Sequence, residues 1–594
     1  MGRLLYAVAA AAALCVAGHA PQARAAQPRA AVEGDLDAGL RAEIIRAIGD
    51  SDRPIDNRFE ARRRADGAAQ DALAVLRSEG YYAAVVEPQL GEGDSPAPAV
   101  RITPGVRFIL AAPAIEWVGA APDPDTVAGA AGALALSPGA PGRAADVVAA
   151  EGRAVAAVQK RGYADVKAEP REVVVDHADR TVRPTYRLAA GPLSRLDGIK
   201  LTTNGRTRPS WLQHLGPWKP GDLYQPADVA QLERRLLDTG VYDTVTVGLA
   251  PQSQTTPDGL RPVVVSLAER RRRTISLGAS YGTNEGPGAD VTLTNYDVLG
   301  RADTLSLFAR ASKLDSRTGA DLSLPHWLMA DQTLSTELAA YKTTTDAYDA
   351  TGFGGHADAQ RHFTKTSYLT LGVSLDFSRT EELKPGTLTS LGRDIATLGT
   401  LAELALDRSN DPLNPTRGWR VSARAEPTLL AGKGTVPYLK VQTQGSIYWP
   451  LDAQAETVVA ARLHLGSILN GTVGDIPAPQ RFYAGGGGSV RGFAYQAVGP
   501  RLPDNTPQGG LSLGEASVEL RHQLTQKWGL VGFVDAGLVG DRSLPAVKDL
   551  GVGAGVGVRY NLGFGPIRLD VAAPVAGRRG GAPFEIYVSI GQAF

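Results

Sequence analysis

The chain has 594 residues with 62 basic against 62 acidic, so no strongly basic face is on offer to a nucleic acid. Its single cysteine, Cys15, excludes a disulfide framework and thiolate chemistry in everything that follows it. A chain of this length is expected to hold several domains.

The first residues read as a secretory signal. Arg3 precedes an apolar run at 4–17, and Ala23-Arg24-Ala25 offers a small-x-small cleavage site, so residues 1–25 are assigned to a signal peptide. The run is too short for a spanning helix, which needs about 20 apolar residues. Leu14 stands where a lipoprotein signal needs a small residue. Without Arg3 and Arg24 the charge becomes 60 basic against 62 acidic. The best later apolar stretch, 127–136, is short and rich in alanine and glycine. An exported chain of this kind is either soluble or embedded in a membrane without helices.

From residue 27 to about 269 a pattern repeats three times: a helical stretch, a glycine, then strands. "DALAVLRSEGYYAAVVEP" turns at Gly80, "GRAVAAVQKRGYADVKAEP" at Gly162 and "VAQLERRLLDTGVYDTVTV" at Gly240, at intervals of 82 and 78 residues. Glycine ends a helix easily because it enters the left-handed region without a Cβ penalty. Val229, Leu232 and Leu236 recur at helical spacing, so one face of that helix must pack. Polar turns such as "DHADR" and "PQSQTTPDG" split the strand-like runs into hairpins. The modules are placed at 27–105, 106–190 and 191–269. The first lacks a clear opening strand before Gly34, which leaves "DLDAGLRAEIIRAI" readable as a plug helix.

Residues 271–594 follow another grammar. In "YLTLGVSLDFS", Leu369, Leu371, Val373, Leu375 and Phe377 share one face; Thr370, Gly372, Ser374, Asp376 and Ser378 share the other. "GVGAGVGVRY" and "PIRLDVA" alternate likewise. The end, "FEIYVSIGQAF", sets Phe584, Ile586, Val588, Ile590 and Phe594 on one face. Period-two alternation means strands with one apolar side. It continues for about 320 residues with no helix to cover a sheet, which favours a barrel whose apolar side faces lipid. At roughly 20 residues per strand and connection, an antiparallel barrel of 16 strands results. Only helices and closed barrels satisfy every backbone amide in hydrocarbon, so the expected location is an outer membrane. The run "RRRR" at 270–273 falls where arm meets barrel, as a charged periplasmic rim near lipid headgroups.

One stretch within the barrel, "RFYAGGGGSVRGFAYQAVGPR" at 481–501, is too rich in glycine for a strand and reads as a loop. Outside the barrel, Arg491 would need no partner. Folded into the lumen it needs a carboxylate, since a buried unpaired charge is expensive. Asp535 in "GFVDAG" offers one, and a guanidinium can bind it at two points. Gly492 would let the backbone press on the wall, with Phe493 as a wedge. A charge-reversal swap of Arg491 and Asp535 is expected to restore part of what either single change loses.

"GGGGSVRGFAY" and "FVDAG" together resemble the paired VRGF and F-x-D-x-G motifs of the outer-membrane insertase and two-partner-secretion superfamily. "SYGTNEGPGADVTLTNYDVLGRADTL" (280–305), "DRSNDPLNPTRGW" (407–419) and the terminal "SIGQAF" are similar to further family segments. The resemblance implies that the repeats are periplasmic POTRA domains and that Val490, Arg491, Gly492 and Phe493 form a lumen loop latch. Phe533, Asp535 and Gly537 would be its barrel-wall partner, with Gly591 and Phe594 at the seam and assembly signal. Three POTRA units point to the TamA-like subfamily, the outer-membrane part of the translocation and assembly module.

The implied function is assembly of autotransporter-like and other β-barrel clients, by pairing of client strands at a seam between first and last strands. Implied partners are client barrels, membrane lipids and a large inner-membrane-anchored, TamB-like protein at the first module. No nucleotide, cofactor or metal is expected, since neither a phosphate-cradling loop nor a His-x-x-x-His helix is present. "GASYG" at 278–282 matches a nucleophile elbow, but it continues an alternating strand with Ser280 facing the lumen, so no catalytic residue is assigned. The rival readings are a passive pore and a two-partner-secretion transporter serving one exoprotein.

Overall fold

In a computed structural model of the chain, the described residues are 27–51, 55, 57–92, 96–282, 286–545, 550–562, 565–577 and 582–594. The signal segment expected at 1–25, with Cys15, lies outside them. The chain forms two compact units. One comprises Met1–Asp197, Trp218–Asp228 and Pro251–Arg261; the other comprises Gly198–Pro217, Val229–Ala250 and Pro262–Phe594.

In the first unit, strand Ala31–Glu33 runs parallel to Pro98–Thr103, which pairs antiparallel with Val85–Leu90. The opening strand that the sequence hid is therefore present, only three residues long. Helix Ala38–Ile48 is not a plug: Leu40, Ile44 and Ile48 are buried against Val100, Ile102 and Leu76. Asp37 caps it by accepting from the Leu40 amide at 2.8 Å. Each fully buried aliphatic side chain contributes about 1.5–3 kcal/mol, so this small core suffices to seat the helix. The next sheet holds Thr181–Ala189 between Ala114–Trp117 and Lys167–Asp176, covered by helices Pro124–Ala133 and Ala144–Gln159. The third sheet, in the order Arg195–Leu201, Leu260–Glu269 and Tyr242–Leu249, falls largely in the second unit. Its helix, Pro226–Asp238, buries Val229, Leu232 and Leu236, the residues picked out by spacing. Gly80, Gly162 and Gly240 follow their helices with φ of 94°, 97° and 69°.

The second unit contains a 16-stranded antiparallel sheet. Its strands, first to eighth, are Arg273–Gly282, Gly286–Tyr296, Thr304–Ala311, Asp315–Leu324, Gln332–Thr344, Tyr348–His362, Tyr368–Leu383 and Ser390–Asp407. Ninth to sixteenth are Gly418–Ala431, Thr435–Pro450, Thr457–Leu469, Ser512–Gln523, Trp528–Gly540, Gly551–Leu562, Gly565–Ala576 and Glu585–Ile590. First and last strands meet, which closes a barrel. The alternation sorts as an inverted core: Ile275, Leu277, Leu338, Leu371, Val373 and Val588 are exposed on the outside, whereas Glu519, Asp535 and Asp570 are buried inside. Large aromatics, among them Phe363, Trp419, Trp449 and Trp528, are exposed close to the periplasmic strand ends, the girdle expected at a membrane interface. "GASYG" falls within the first strand, laddered to the second, with no helix after it; the side chain of Ser280 lies outside the description.

Two departures concern the ends. The last strand stops at Ile590, and Gly591 (φ 88°) turns the tail off the wall. Phe594 therefore does not continue the lipid face. It packs beneath Arg462 and Arg521, whose guanidinium carbons stand 5.6 and 5.3 Å from its ring centre. Among the described residues, no ladder joins the first strand to the sixteenth.

Within the same unit, part of the third repeat is clamped to the first two periplasmic turns. Arg235 reaches Asp331 with two bonds of 2.6 and 3.0 Å, and Thr207 donates to Asp297 at 2.9 Å. The Arg208 amide donates to the Gly300 carbonyl at 2.9 Å. His326 donates from Nε2 to the Arg235 carbonyl at 3.1 Å and accepts at Nδ1 from the Asp331 amide at 3.0 Å.

Candidate functional site: a loop latched inside the barrel

Between the eleventh and twelfth strands the chain leaves the wall and folds into the lumen. Isolated bridges Phe482–Gly510, Ala484–Val498 and Arg501–Pro507 make it a collapsed hairpin. Val490, Phe493, Val498 and Phe482 are buried with Leu513 and Val539 of the wall in one apolar cluster. This is the barrel's interior core, and the loop supplies most of it.

Arg491, 2% exposed, is at the centre. Its Nε and Nη2 donate to the two oxygens of Asp535 at 2.7 and 2.9 Å, and its backbone amide adds a bond of 3.1 Å to the same carboxylate. Nη1 lies 3.0 Å from Asp570 and 2.7 Å from Glu519. The guanidinium sits 3.5 Å above the Phe533 ring centre, a cation–π contact.

Each position of the two motifs has a steric or electrostatic reason. Phe533, Asp535 and Gly537 point inward from the thirteenth strand. Phe533 floors the guanidinium, Asp535 binds it, and a Cβ on Gly537 would overlap the Val490 side chain. Gly492 has φ 96°, and a Cβ there would stand 2.8 Å from the Ala573 backbone. Phe493 is buried beside Gly551. Gly553 is equally constrained, since its Cβ would overlap the Arg491 carbonyl oxygen.

The sequence reading paired Arg491 with one carboxylate; the structure gives it three. Glu519 also binds Arg521 at 2.8 Å, and Asp570 binds Arg559 at 2.5 Å, so signs alternate across four strands. Asp570 was legible as inward-facing, and Glu519 alternates with Val518 and Leu520, but neither carries a local signal of its partner. Tyr587, on the last strand, was missed entirely. Its hydroxyl accepts from the Gly492 amide at 3.1 Å and donates to the Phe493 carbonyl at 3.0 Å.

Two further clamps hold the loop. At its root, Arg481 donates to Glu382 at 2.8 Å and to the carbonyls of Ile476 and Gln508 at 2.8 and 2.9 Å. At its tip, Arg462 donates to the Gly488 and Ser489 carbonyls, each at 3.2 Å, and Glu515 bonds the Ser489 hydroxyl. Gly591 and Phe594, expected at the seam, lie apart from the latch, tied through Gln592 to Arg559 at 3.1 Å. Among the described residues no cluster of side chains is arranged to hold a metal ion.

A 16-stranded membrane barrel, preceded by small α/β modules and closed inside by a VRGF loop on an F-x-D-x-G strand, defines a class of outer-membrane barrel protein. The Omp85 superfamily domain matches residues 297–594, and the chain belongs to that superfamily. It lies in the outer membrane with its POTRA arm in the periplasm. The outer membrane protein assembly factor BamA of Neorickettsia risticii is 24% identical over 443 residues, 71% of this chain and 58% of that protein. BamA of Neisseria meningitidis serogroup B is 23% identical over 414 residues, 64% of this chain and 50% of that protein. The chain thus spans about half the length of these curated relatives. The crystal structure of Haemophilus ducreyi BamA lacking POTRA domains 1–3 superposes with a TM-score of 0.68 at 19% identity, covering 82% of this chain and all of that one.

Proposed function

We propose that this protein is a non-enzymatic assembly factor that inserts or translocates autotransporter-like and other β-barrel proteins, by offering client strands an edge at the barrel seam. The observation that carries this reading is the unladdered meeting of first and last strands. The last strand has six residues and the first has ten, so backbone groups of the first strand face the seam without a ladder among the described residues. An amide left unpaired in hydrocarbon costs several kcal/mol, so such an edge favours any strand that can pair with it. Among the described residues the latch acts on one side: Tyr587 ties the last strand to the loop, leaving the first strand as the side that moves. In this reading the three modules are POTRA units that guide clients, and the first docks a large, TamB-like partner anchored in the inner membrane.

A lumen occupied by a buried, clamped loop counts against a passive pore. A two-partner-secretion transporter would lose one dedicated exoprotein and no other barrel. The discriminating experiment is depletion of the protein followed by a census of outer-membrane proteins. Selective loss of several autotransporter-like barrels is the expected result. A disulfide placed across the seam should reproduce that loss, with activity returning on reduction; an unchanged census in the locked protein would reject strand templating.

A further inference from the structure

The arginine run at the start of the barrel has no part in the latch. Arg271, Arg272 and Arg273 are exposed, as is Arg301 in the first periplasmic turn. Several acids on this arc are already engaged. Asp243 binds Arg270 at 3.3 Å, Glu269 binds Arg206 at 3.2 Å and Asp331 binds Arg235 at 2.6 Å. Asp297 and Asp303 are buried, accepting from Thr207, from Ala302 and from the amides of Val298 and Leu299. Among the described residues, none of the four arginines has a carboxylate within ion-pair distance; Arg273 bonds only the neutral Asn295, at 3.1 Å. The four guanidiniums therefore lack ion-pair partners among the described residues, and they outnumber Asp297 and Asp303, whose neutral donors leave their charge in place.

Apolar groups stand beside it. Val298 and Leu299 are exposed in the same turn as Arg301. On the first strand, Arg273 shares the outward face with Ile275 and Leu277, which are 68% and 79% exposed. One step of two residues along a strand is about 7 Å. The headgroup layer outside the hydrocarbon is about 5–7 Å thick on each side. The arginines thus lie at phosphate depth, directly below side chains at acyl depth.

We propose that Arg271, Arg272, Arg273 and Arg301, with Val298 and Leu299, form a binding surface for the phosphate headgroups of anionic phospholipid in the periplasmic leaflet, at the foot of the seam's first strand. Clustered arginines beside a spanning segment attract anionic lipid, each adding to the affinity. The apolar neighbours commit the site to a lipid rather than a soluble phosphate.

The test uses the full chain reconstituted in phosphatidylcholine vesicles containing 20 mol% phosphatidylglycerol (roughly the charge density of a natural anionic leaflet). Lipids retained after mild extraction are counted by native mass spectrometry. The wild type should hold phosphatidylglycerol over phosphatidylcholine, and the Arg271→Gln/Arg272→Gln protein should lose about tenfold of that preference. Lys527→Gln, in a distant turn, should leave it intact. Wild-type preference should fall at 0.5 M salt, a readout independent of whether the double variant folds. Equal retention of both lipids by the wild type, an unaltered preference in the folded double variant, survival at high salt, or displacement by millimolar glycerol phosphate would each overturn the proposal.

Discussion

The two walls of the barrel obey the same alternation and differ in what covers them. On the wall made by the early strands, the inward-facing Asp290, His356 and Ser374 are exposed to the lumen. On the wall made by the late strands, Glu519, Asp535, Arg559 and Asp570 are each 2% exposed or less. The loop makes the difference. A charge left in water needs no partner, whereas a charge that the loop desolvates must find one or raise the free energy of the fold. The late wall is therefore built as a closed array of opposite signs, and the early wall leaves polar groups such as Asp290 and Ser374 in water.

That contrast is broken most severely at Arg491. Arg491→Ala leaves Asp535, Asp570 and Glu519 facing one another under the loop, a loss of roughly 3–5 kcal/mol. Heat-modifiable migration of the barrel and proteolytic nicking of the loop measure it. His356→Ala on the open wall should move neither readout beyond about 0.5 kcal/mol. The structure also revises the expectation for a charge swap. An aspartate at 491 would meet Glu519 and Asp570, so Arg491→Asp with Asp535→Arg should be no better than Arg491→Ala. Recovery in the swap would mean that Asp535 is the only carboxylate that matters.

Gly553→Ala probes the same wall without touching charge. Its Cβ would occupy the space of the Arg491 carbonyl oxygen, and overpacking of this kind costs about 1–3 kcal/mol. The loop should become protease-sensitive while the strands remain formed. Gly532→Ala, on the same late wall but with open space around it, should leave the loop protected.

These residues also mark how far the sequence carries. The strand alternation, the inward Asp535 and the glycine before Phe493 are local patterns, and local patterns survive without coordinates. The barrel was readable because each strand states its two faces independently. Tyr587 was not, because it sits in "FEIYVSI" as one more strand aromatic, and its partners are backbone groups some 95 residues earlier. Glu382 and Arg481 are similarly remote, 99 residues apart. The tail was misread for a different reason: Phe594 keeps the register of Phe584 to Ile590 despite Gln592 on the same face, but a positive φ at Gly591 ends the strand that register implies. The arc of arginines could be seen as a run, but not as one without ion-pair partners, until the acids around it were assigned.

Tyr587→Phe sharpens the comparison at the seam. It keeps the ring and removes one donor and one acceptor, leaving the Gly492 amide and Phe493 carbonyl without this partner, at about 1–3 kcal/mol. If the loop holds the last strand through this hydroxyl, the variant should form seam-spanning disulfides from engineered cysteines at an altered rate, with the barrel still heat-stable. An unchanged rate would make Tyr587 a packing residue only.

The smallest effect is expected at the periplasmic turns, where the third repeat grips the early wall. His326 uses both ring nitrogens, one as donor to Arg235 and one as acceptor from the Asp331 amide. That requires neutral imidazole, and burial lowers its pKa below the ordinary 6.5. Asp331 is held below the usual carboxylate range by its hydrogen bonds from Arg235, so it stays ionised through the same interval. The unfolded histidine therefore takes up its proton first, and the junction loses stability as pH falls below about 6.5. An imidazolium cannot accept from the Asp331 amide, so the turn should open locally before the barrel does. Hydrogen exchange across 325–331, corrected for its intrinsic rate, should accelerate between pH 7.5 and 5.5 in the wild type. His326→Gln keeps a donor and an acceptor without titrating and should flatten that dependence; acceleration persisting in the glutamine variant would place the sensor elsewhere.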